Sequence, residues 1–454
     1  MAATGLRGFV LRGVNLAIAA LLFFGFLIGL EPALGPVAAG LAIVSAVAWL
    51  WVSEALHVSV TALLVPLLAA IAGVLPFDEG LKQFADPVIF LFLGGFALAA
   101  GLHRQGLDRL MAGWVIARAG HRLGQCARWL FWLTALLSMW ISNTATAAMM
   151  LPLALGLLSP LAPDQYRRTY AYVLLGVAFS ANIGGIGTLV GSPPNAIAAA
   201  NVGLDFVGWL WWGLPLVLVL MPLMELALRW SLKPDLQIEL APPPRDDQVW
   251  GQSQFMMLMV FALTVGLWVF GAPLAAALGI GRGFDAAVAL FALFLLHLLR
   301  LASWADVEKS AEWGVLLLFG GGLTLSRVLT DSGAAAWLSS QLGGPLEVLP
   351  ALVCLGLMIL FAMLITEVTS NTASAALLVP LFIELAPGID NVPVAVLVAA
   401  GASCAFLLPV ATPPNAIVFG SGHVPQREMI RSGLGVSAFA FPVLLVAGAL
   451  ALVF

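Results

Sequence analysis

The sequence predicts an all-α polytopic membrane protein: about 11 transmembrane helices plus two re-entrant helical hairpins in an inverted-topology repeat. Three observations carry that prediction. Hydrophobic residues make up 62% of the 454 positions and charged residues 9%, whereas a soluble chain is about one quarter charged. Several apolar stretches exceed the roughly 18–20 residues that a helix needs to cross a bilayer. Finally, one polar motif is written twice in apolar surroundings, SNTATAAMMLP from Ser142 and SNTASAALLVP from Ser370, each ending at a proline, Pro152 and Pro380.

The spans follow in order. Residues 1–37 hold a first span after Arg7 and Arg12, with no persuasive cleavage site, so it reads as retained. Spans near 38–52 and 58–75 are joined by the polar turn Ser53-Glu54-Ala55-Leu56-His57, and 76–86 reads as an aqueous loop. A span at 87–102 carries Gly94-Gly95. An interfacial stretch at 103–128 carries Arg104, Arg109, Arg118, Arg122 and Arg128. The first hairpin is placed at 129–160. Residues 170–200, with Gly184, Gly185, Gly187, Gly191, Pro193 and Pro194, are too long and too broken for one simple helix. A span near 208–228 ends in the polar linker 229–252, which contains APPPRDD and is the best internal boundary.

The second half, 253–454, repeats the scheme. Spans fall near 253–270 and 284–299, then a polar interfacial segment (SWADVEKSAEW), then a span at 313–330 with Gly320-Gly321-Gly322. After a surface stretch at 331–349, the second hairpin is placed at 350–386, a second broken helix at 393–420 and a last span at about 433–453. Gly-Gly, Ser-Asn-Thr and Pro-Pro-Asn recur in the same order at similar distances in 38–228 and 253–454, which marks an internal duplication. With the N-terminus cytoplasmic, the linker 229–252 cytoplasmic and both hairpins re-entrant, only Lys82, Arg282 and Arg327 of the 19 Lys and Arg fall outside, as the positive-inside rule asks. The C-terminus is then external, and the membrane is the inner (plasma) membrane. The two hairpins enter from opposite sides, a recurrent design of secondary transporters.

Much is excluded. The net charge of −4 is small and no basic run suggests nucleic acid. Cys126, Cys354 and Cys404 are too widely spaced for a disulfide framework or a metal cluster, and the five histidines are equally scattered. The glycine-rich GGIGTLVG at 184–191 is followed by no P-loop lysine. With no nucleophile–base pair either, an enzyme is not expected.

Broken backbone at membrane depth is tolerated where protein or a watery cavity satisfies it. A helix start offers free N–H groups that favour an anion, and hydroxyl, amide and carbonyl oxygens suit a hard cation. Ser, Asn and Thr add donors and acceptors without fixed charge, and Pro193-Pro194 and Pro413-Pro414 remove backbone donors. A lone Ser-Asn-Thr could equally be bonding an i−4 carbonyl, and a lone Gly or Pro could mark packing; two matched sets argue for binding. A co-bound sodium ion would complete the positive field for a dianion, so the two would favour each other. Glu367 precedes the second motif. As an intramembrane carboxylate it is a functional suspect and equally a structural, hydrogen-bonded one. Glu54, Glu225 and Asp285 read as interfacial.

These motifs, over nearly the whole chain, resemble the divalent anion/sodium symporter (DASS) family of di- and tricarboxylate carriers. The resemblance implies a homodimer with a scaffold and a mobile transport domain that moves like an elevator across the lipid bilayer. Carried over by motif, it implies substrate contacts at Ser142, Asn143, Thr144, Ser370, Asn371, Thr372, Thr412, Pro413 and Ser192. It implies one sodium site at Ser138, Ser142, Asn143 and Gly191, and its mate at Thr366, Thr369, Asn371 and Ala411, some through backbone carbonyls. Both intact motifs favour sodium-coupled uptake of C4 dicarboxylates (succinate, fumarate, malate) or related di- and tricarboxylates. The alternatives within the class are a sodium-independent exchanger and a sulfate or other divalent anion symporter; an ion channel is the alternative outside it.

Overall fold

The computed structural model describes residues 2–108, 110–111, 120–240, 251–281, 283–347, 349–386 and 388–453. The expected positions Arg109, Arg118 and Arg282 and the APPPRDD stretch lie outside these residues. The described chain is helical, with no strand; an isolated bridge pairs Arg122 with Glu239. Seven helices are long and apolar enough to cross a membrane, and six shorter apolar ones accompany them among the described residues.

The first half runs α1 (Ala2–Leu34), α2 (Pro36–Ser53), α3 (Val58–Ile71), α4 (Phe77–Lys82), α5 (Pro87–Arg104), α6 (Leu123–Ser138), α7 (Asn143–Leu158), α8 (Arg167–Gly185), α9 (Pro193–Val202) and α10 (Phe206–Leu232). The second runs α11 (Gln252–Phe270), α12 (Ala272–Ala277), α13 (Phe284–Leu298), α14 (Trp304–Ser310), α15 (Trp313–Asp331), α16 (Ala334–Glu347), α17 (Ala351–Ile365), α18 (Asn371–Leu385), α19 (Asn391–Ser403), α20 (Pro413–Gly420) and α21 (Gln426–Val453).

The packing is reciprocal. Helix α5 lies on α13 and α15 on α3, and each contact passes through a glycine. A Cβ on Gly94 would sit 2.4–2.7 Å from Ala289, and one on Gly321 would sit 2.5–2.8 Å from Ala62. The repeated glycines therefore let backbones touch, as small residues do between membrane helices. The helix pairs α6–α7 and α17–α18 form hairpins against α8 and α19 respectively. Each second segment then crosses to the other half, α9 against α18 and α19, and α20 against α7 and α8. This crossing places the two breaks side by side at the centre. Helices α8 and α19 are buried along nearly their whole length.

Three expectations are corrected. Residues 76–86 are not a loop: Asp78 and Glu79 begin α4 and Lys82 ends it, a charge order that suits the helix dipole. The first hairpin starts at Leu123 rather than 129, because Leu123, Cys126 and Ala127 are buried and continue its apolar face. The stretch 331–349 is largely helical, with Ala334 and Ala335 buried. Pro152 and Pro380, which close the two motif runs, lie inside α7 and α18; membrane helices absorb such prolines because neighbouring groups satisfy the freed carbonyl.

Candidate functional site

The breaks follow from local chemistry. Helices α7 and α18 begin where Ser142 and Ser370 act as N-caps, their hydroxyls accepting from Ala145 N at 3.3 Å and Ala373 N at 3.1 Å. This is the usual work of serine at a helix start. Helices α9 and α20 begin at Pro193 and Pro413, the first-turn position where a missing N–H costs nothing. Thr412 caps α20 by accepting from Asn415 N at 3.3 Å, while Ser192 makes no such bond.

Four helix starts therefore meet one central cavity of about 490 Å³, a volume typical of small-molecule sites. It is lined by Ser142, Asn143, Thr144, Ser192, Ser370, Asn371, Thr372, Thr412 and Pro413, and also by Gly191 and Ala411. No arginine or lysine lines it among the described residues. The starts of α7 and α18 present N–H groups to it and those of α9 and α20 the positive ends of their dipoles, while Glu54 and Glu312 are the charged side chains in its lining.

Behind each Ser-Asn-Thr lies a matched cluster of oxygens. Ser138 Oγ sits 2.6 Å from Asn143 Oδ1 and 2.7 Å from the Ala181 carbonyl. Thr366 Oγ1 sits 2.7 Å from Asn371 Oδ1 and 2.6 Å from the Ala402 carbonyl. In each trio one hydroxyl proton faces two acceptors, so acceptor capacity is in excess. Both hydroxyl residues are fully buried, and they reach the cavity through the asparagines. Gly185 keeps this room open: a Cβ there would lie 2.4 Å from Asn143 Oδ1. Thr369 stands differently. Its hydroxyl is engaged with the Ile365 carbonyl at 3.0 Å and with Ser374 at 2.5 Å.

The asparagines of the Pro-Pro-Asn breaks do work that the sequence reading did not assign. Asn195 Nδ2 donates to the carbonyls of Gly185 (2.8 Å) and Thr188 (2.7 Å), and Asn415 Nδ2 to those of Ala405 (3.2 Å) and Leu408 (3.1 Å). Each stitches its own break shut by satisfying two carbonyls that the helix leaves free. Asn182, also unassigned, joins the halves: it donates to Thr412 Oγ1 at 3.1 Å and lines the cavity, and its own Oδ1 is buried without a partner. An asparagine deep in an apolar helix, just before Gly184-Gly185, was the available signal.

Glu367 is bound by backbone. Its carboxylate accepts from Phe406 N (2.8 Å), Leu407 N (3.0 and 3.1 Å) and Leu408 N (3.1 Å). Of its two readings, the geometry matches the structural one. Glu225 is not interfacial but buried, held by Arg128 at 3.2 Å, by Arg229 and by Tyr172 at 3.3 Å, which ties α6 to α8 and α10.

Comparison with known proteins fits this architecture. The profile of a family described as citrate transporter (CitMHS) matches residues 48–401. The chain belongs to that family. This carrier family is within the divalent anion symporter class that the motifs resemble, so the chain is a transporter and a multi-pass membrane protein. Among its relatives is a protein from Haemophilus influenzae named "Uncharacterized transporter", 48% identical, with 87% of each chain covered. Another is the "Sodium-dependent dicarboxylate transporter SdcS" of Staphylococcus saprophyticus, 33% identical, covering 89% of this chain and 84% of the relative. The crystal structure of the YdaH transporter of Alcanivorax borkumensis shares the fold, with a TM-score of 0.57 at 15% identity over 82% of this chain and 87% of that one.

Proposed function

We propose that this family member is a secondary active transporter that couples sodium to the uptake of C4 dicarboxylates (succinate, fumarate, malate) or related di- and tricarboxylates. The observation that carries the proposal is the meeting of four helix N-termini at one cavity, with a cluster of excess oxygen acceptors behind each Ser-Asn-Thr. A dianion would lie against the N–H groups and hydroxyls of Ser142, Asn143, Thr144, Ser192, Ser370, Asn371, Thr372 and Thr412, with the Pro413 ring, which has no donor, forming part of the wall. One sodium ion would take oxygens at Ser138, Ser142, Asn143 and the Gly191 turn, and a second those at Thr366, Thr369, Asn371 and the Ala411 turn. As cargo, sodium supplies positive charge beside the anion, which is the physical source of coupling. The name of the staphylococcal relative supports both substrate and ion.

We further propose an inverted repeat of 38–228 and 253–454, with re-entrant hairpins and a cytoplasmic N-terminus, in the plasma membrane. The charge count and the reciprocal helix packing support it. Alternating access would move the hairpins and broken helices as an elevator past the other helices, in a homodimer. The test is uptake of succinate, malate, citrate and sulfate into proteoliposomes with and without an inward sodium gradient. Sodium-driven succinate or malate uptake is expected. Uptake that ignores sodium and requires internal dicarboxylate replaces symport with exchange, and sulfate uptake alone replaces the substrate class.

A further inference from the structure

The central cavity has two mouths, and a carboxylate stands at each. On one side it shares Glu54 and Ser370 with a neighbouring cavity of about 770 Å³ that is also lined by Arg12 and His57. On the other it shares Ser142, Thr144 and Glu312 with a cavity of about 520 Å³ lined also by Arg104 and Lys309. Each Ser-Asn-Thr thus faces its own opening, Ser370 past Glu54 and Ser142 past Glu312.

These two carboxylates differ from the other acids of the interior. Glu225 has two arginines, Glu367 three backbone amides, Asp108 has His103 and Asp285 the Phe206 amide. Neither Glu54 nor Glu312 is in an ion pair with a described residue. Glu312 occupies the N-cap position of α15 yet makes no side-chain cap bond; it faces the Ser142 hydroxyl instead. Glu54 sits in the left-handed region at φ 48°, closing α2, where glycine is the unstrained choice. Both residues lie in turns outside the hairpins and broken helices, on α2–α3 and α14–α15.

A negative group beside a site built from four helix N-termini opposes the anion that those helices attract. We propose that Glu54 and Glu312 are release residues: they lower the affinity of the site for its dianion while it is open to these two mouths, so that the cargo leaves through them. The cations beyond, Arg12 on one path and Lys309 on the other, give the departing anion its next favourable position; Arg104, which also lines the second path, is already paired with Asp306. This inference rests on the anion-transport reading above. It assigns a role to two side chains that neither the motifs nor the oxygen clusters include.

The test is calorimetric binding of succinate, citrate and sulfate to the purified protein at saturating sodium, for the wild type, E54Q, E312Q and the double variant. Each single variant is expected to bind the anion about fivefold tighter, with the larger gain in the double variant and slower efflux from proteoliposomes. The gain should shrink as ionic strength is raised with potassium chloride, whereas E54D and E312D, which keep the charge, should bind more nearly as the wild type does. A merely structural lesion would not tighten binding. Unchanged or weaker anion binding in both Gln variants overturns the proposal. A wild type that binds none of the three anions overturns the anion-site reading and this inference together. One that binds sulfate alone, more tightly in the Gln variants, removes the carboxylate substrate and keeps the release role.

Discussion

The two half-sites agree in what faces the cavity and differ in what holds them in place. Ser138, Asn143 and Ala181 on one side match Thr366, Asn371 and Ala402 on the other, with oxygen separations of 2.6–2.7 Å in both. The asparagine stitches match as well. The anchoring of the breaks does not. In the first, Thr188 donates its hydroxyl proton to the Met139 carbonyl. In the second, Glu367, at the position equivalent to Met139, accepts the amides of Phe406, Leu407 and Leu408. The reason lies in the backbone. The second break is longer, from Cys404 to Thr412 against Ile186 to Ser192, and it turns three N–H groups inward with no carbonyl to receive them. Buried donors need an acceptor, and one carboxylate supplies two oxygens. The ligand geometry is thus repeated while its support is adapted to each loop.

The matching oxygens can be tested first, because the largest effect is expected there. Asn143→Ala and Asn371→Ala should each reduce sodium-driven uptake about a hundredfold, with the sodium requirement raised in whatever activity is left, since each amide serves both the oxygen cluster and the cavity. Normal transport by both variants would remove these residues from the site. A strong loss in only one would break the symmetry of the half-sites.

The unequal anchors predict a smaller, graded effect on stability. Glu367→Gln places an amide N–H against backbone N–H groups and leaves a donor unsatisfied, at about 1–3 kcal/mol. Thr188→Val removes one neutral hydrogen bond, about 0.5–1.5 kcal/mol. Thermal unfolding in detergent should therefore rank wild type above Thr188→Val above Glu367→Gln. The pH profile of transport should keep its shape in Glu367→Gln; a displaced profile would replace the structural role of Glu367 with that of a proton carrier.

The smallest effect is expected outside both half-sites. Asp306 accepts from Ser303 and pairs with Arg104 between α5 and α14, and the Ser303 hydroxyl and amide, then Arg104, hold its carboxyl down to about 2. Its contribution is present above the ordinary carboxylate range and is lost as pH falls toward about 2. Because the pair is largely exposed, Asp306→Asn should cost under about 1 kcal/mol and leave sodium-driven uptake near the wild-type level. A large loss of transport would place α14 within the moving machinery.

Much of this arrangement was legible in the sequence. Composition alone dictates helices in a bilayer, since 9% charge cannot solvate a chain of 454 residues. Serine caps and Pro-Pro breaks act within four residues of themselves, so the starts of α7, α9, α18 and α20 are written locally. Their repetition announced one cavity made twice. Tertiary structure alone decided the rest, because the partners are far apart along the chain. Glu367 meets its amides 39 to 41 residues away, and Asn182 meets Thr412 across 230. Glu54 read as interfacial, and Glu312 as part of the polar interfacial segment SWADVEKSAEW, until the fold set each at the cavity that the Ser-Asn-Thr motifs line. Local rules place helix ends, whereas the partner of a buried charge or carbonyl depends on which helices are brought alongside.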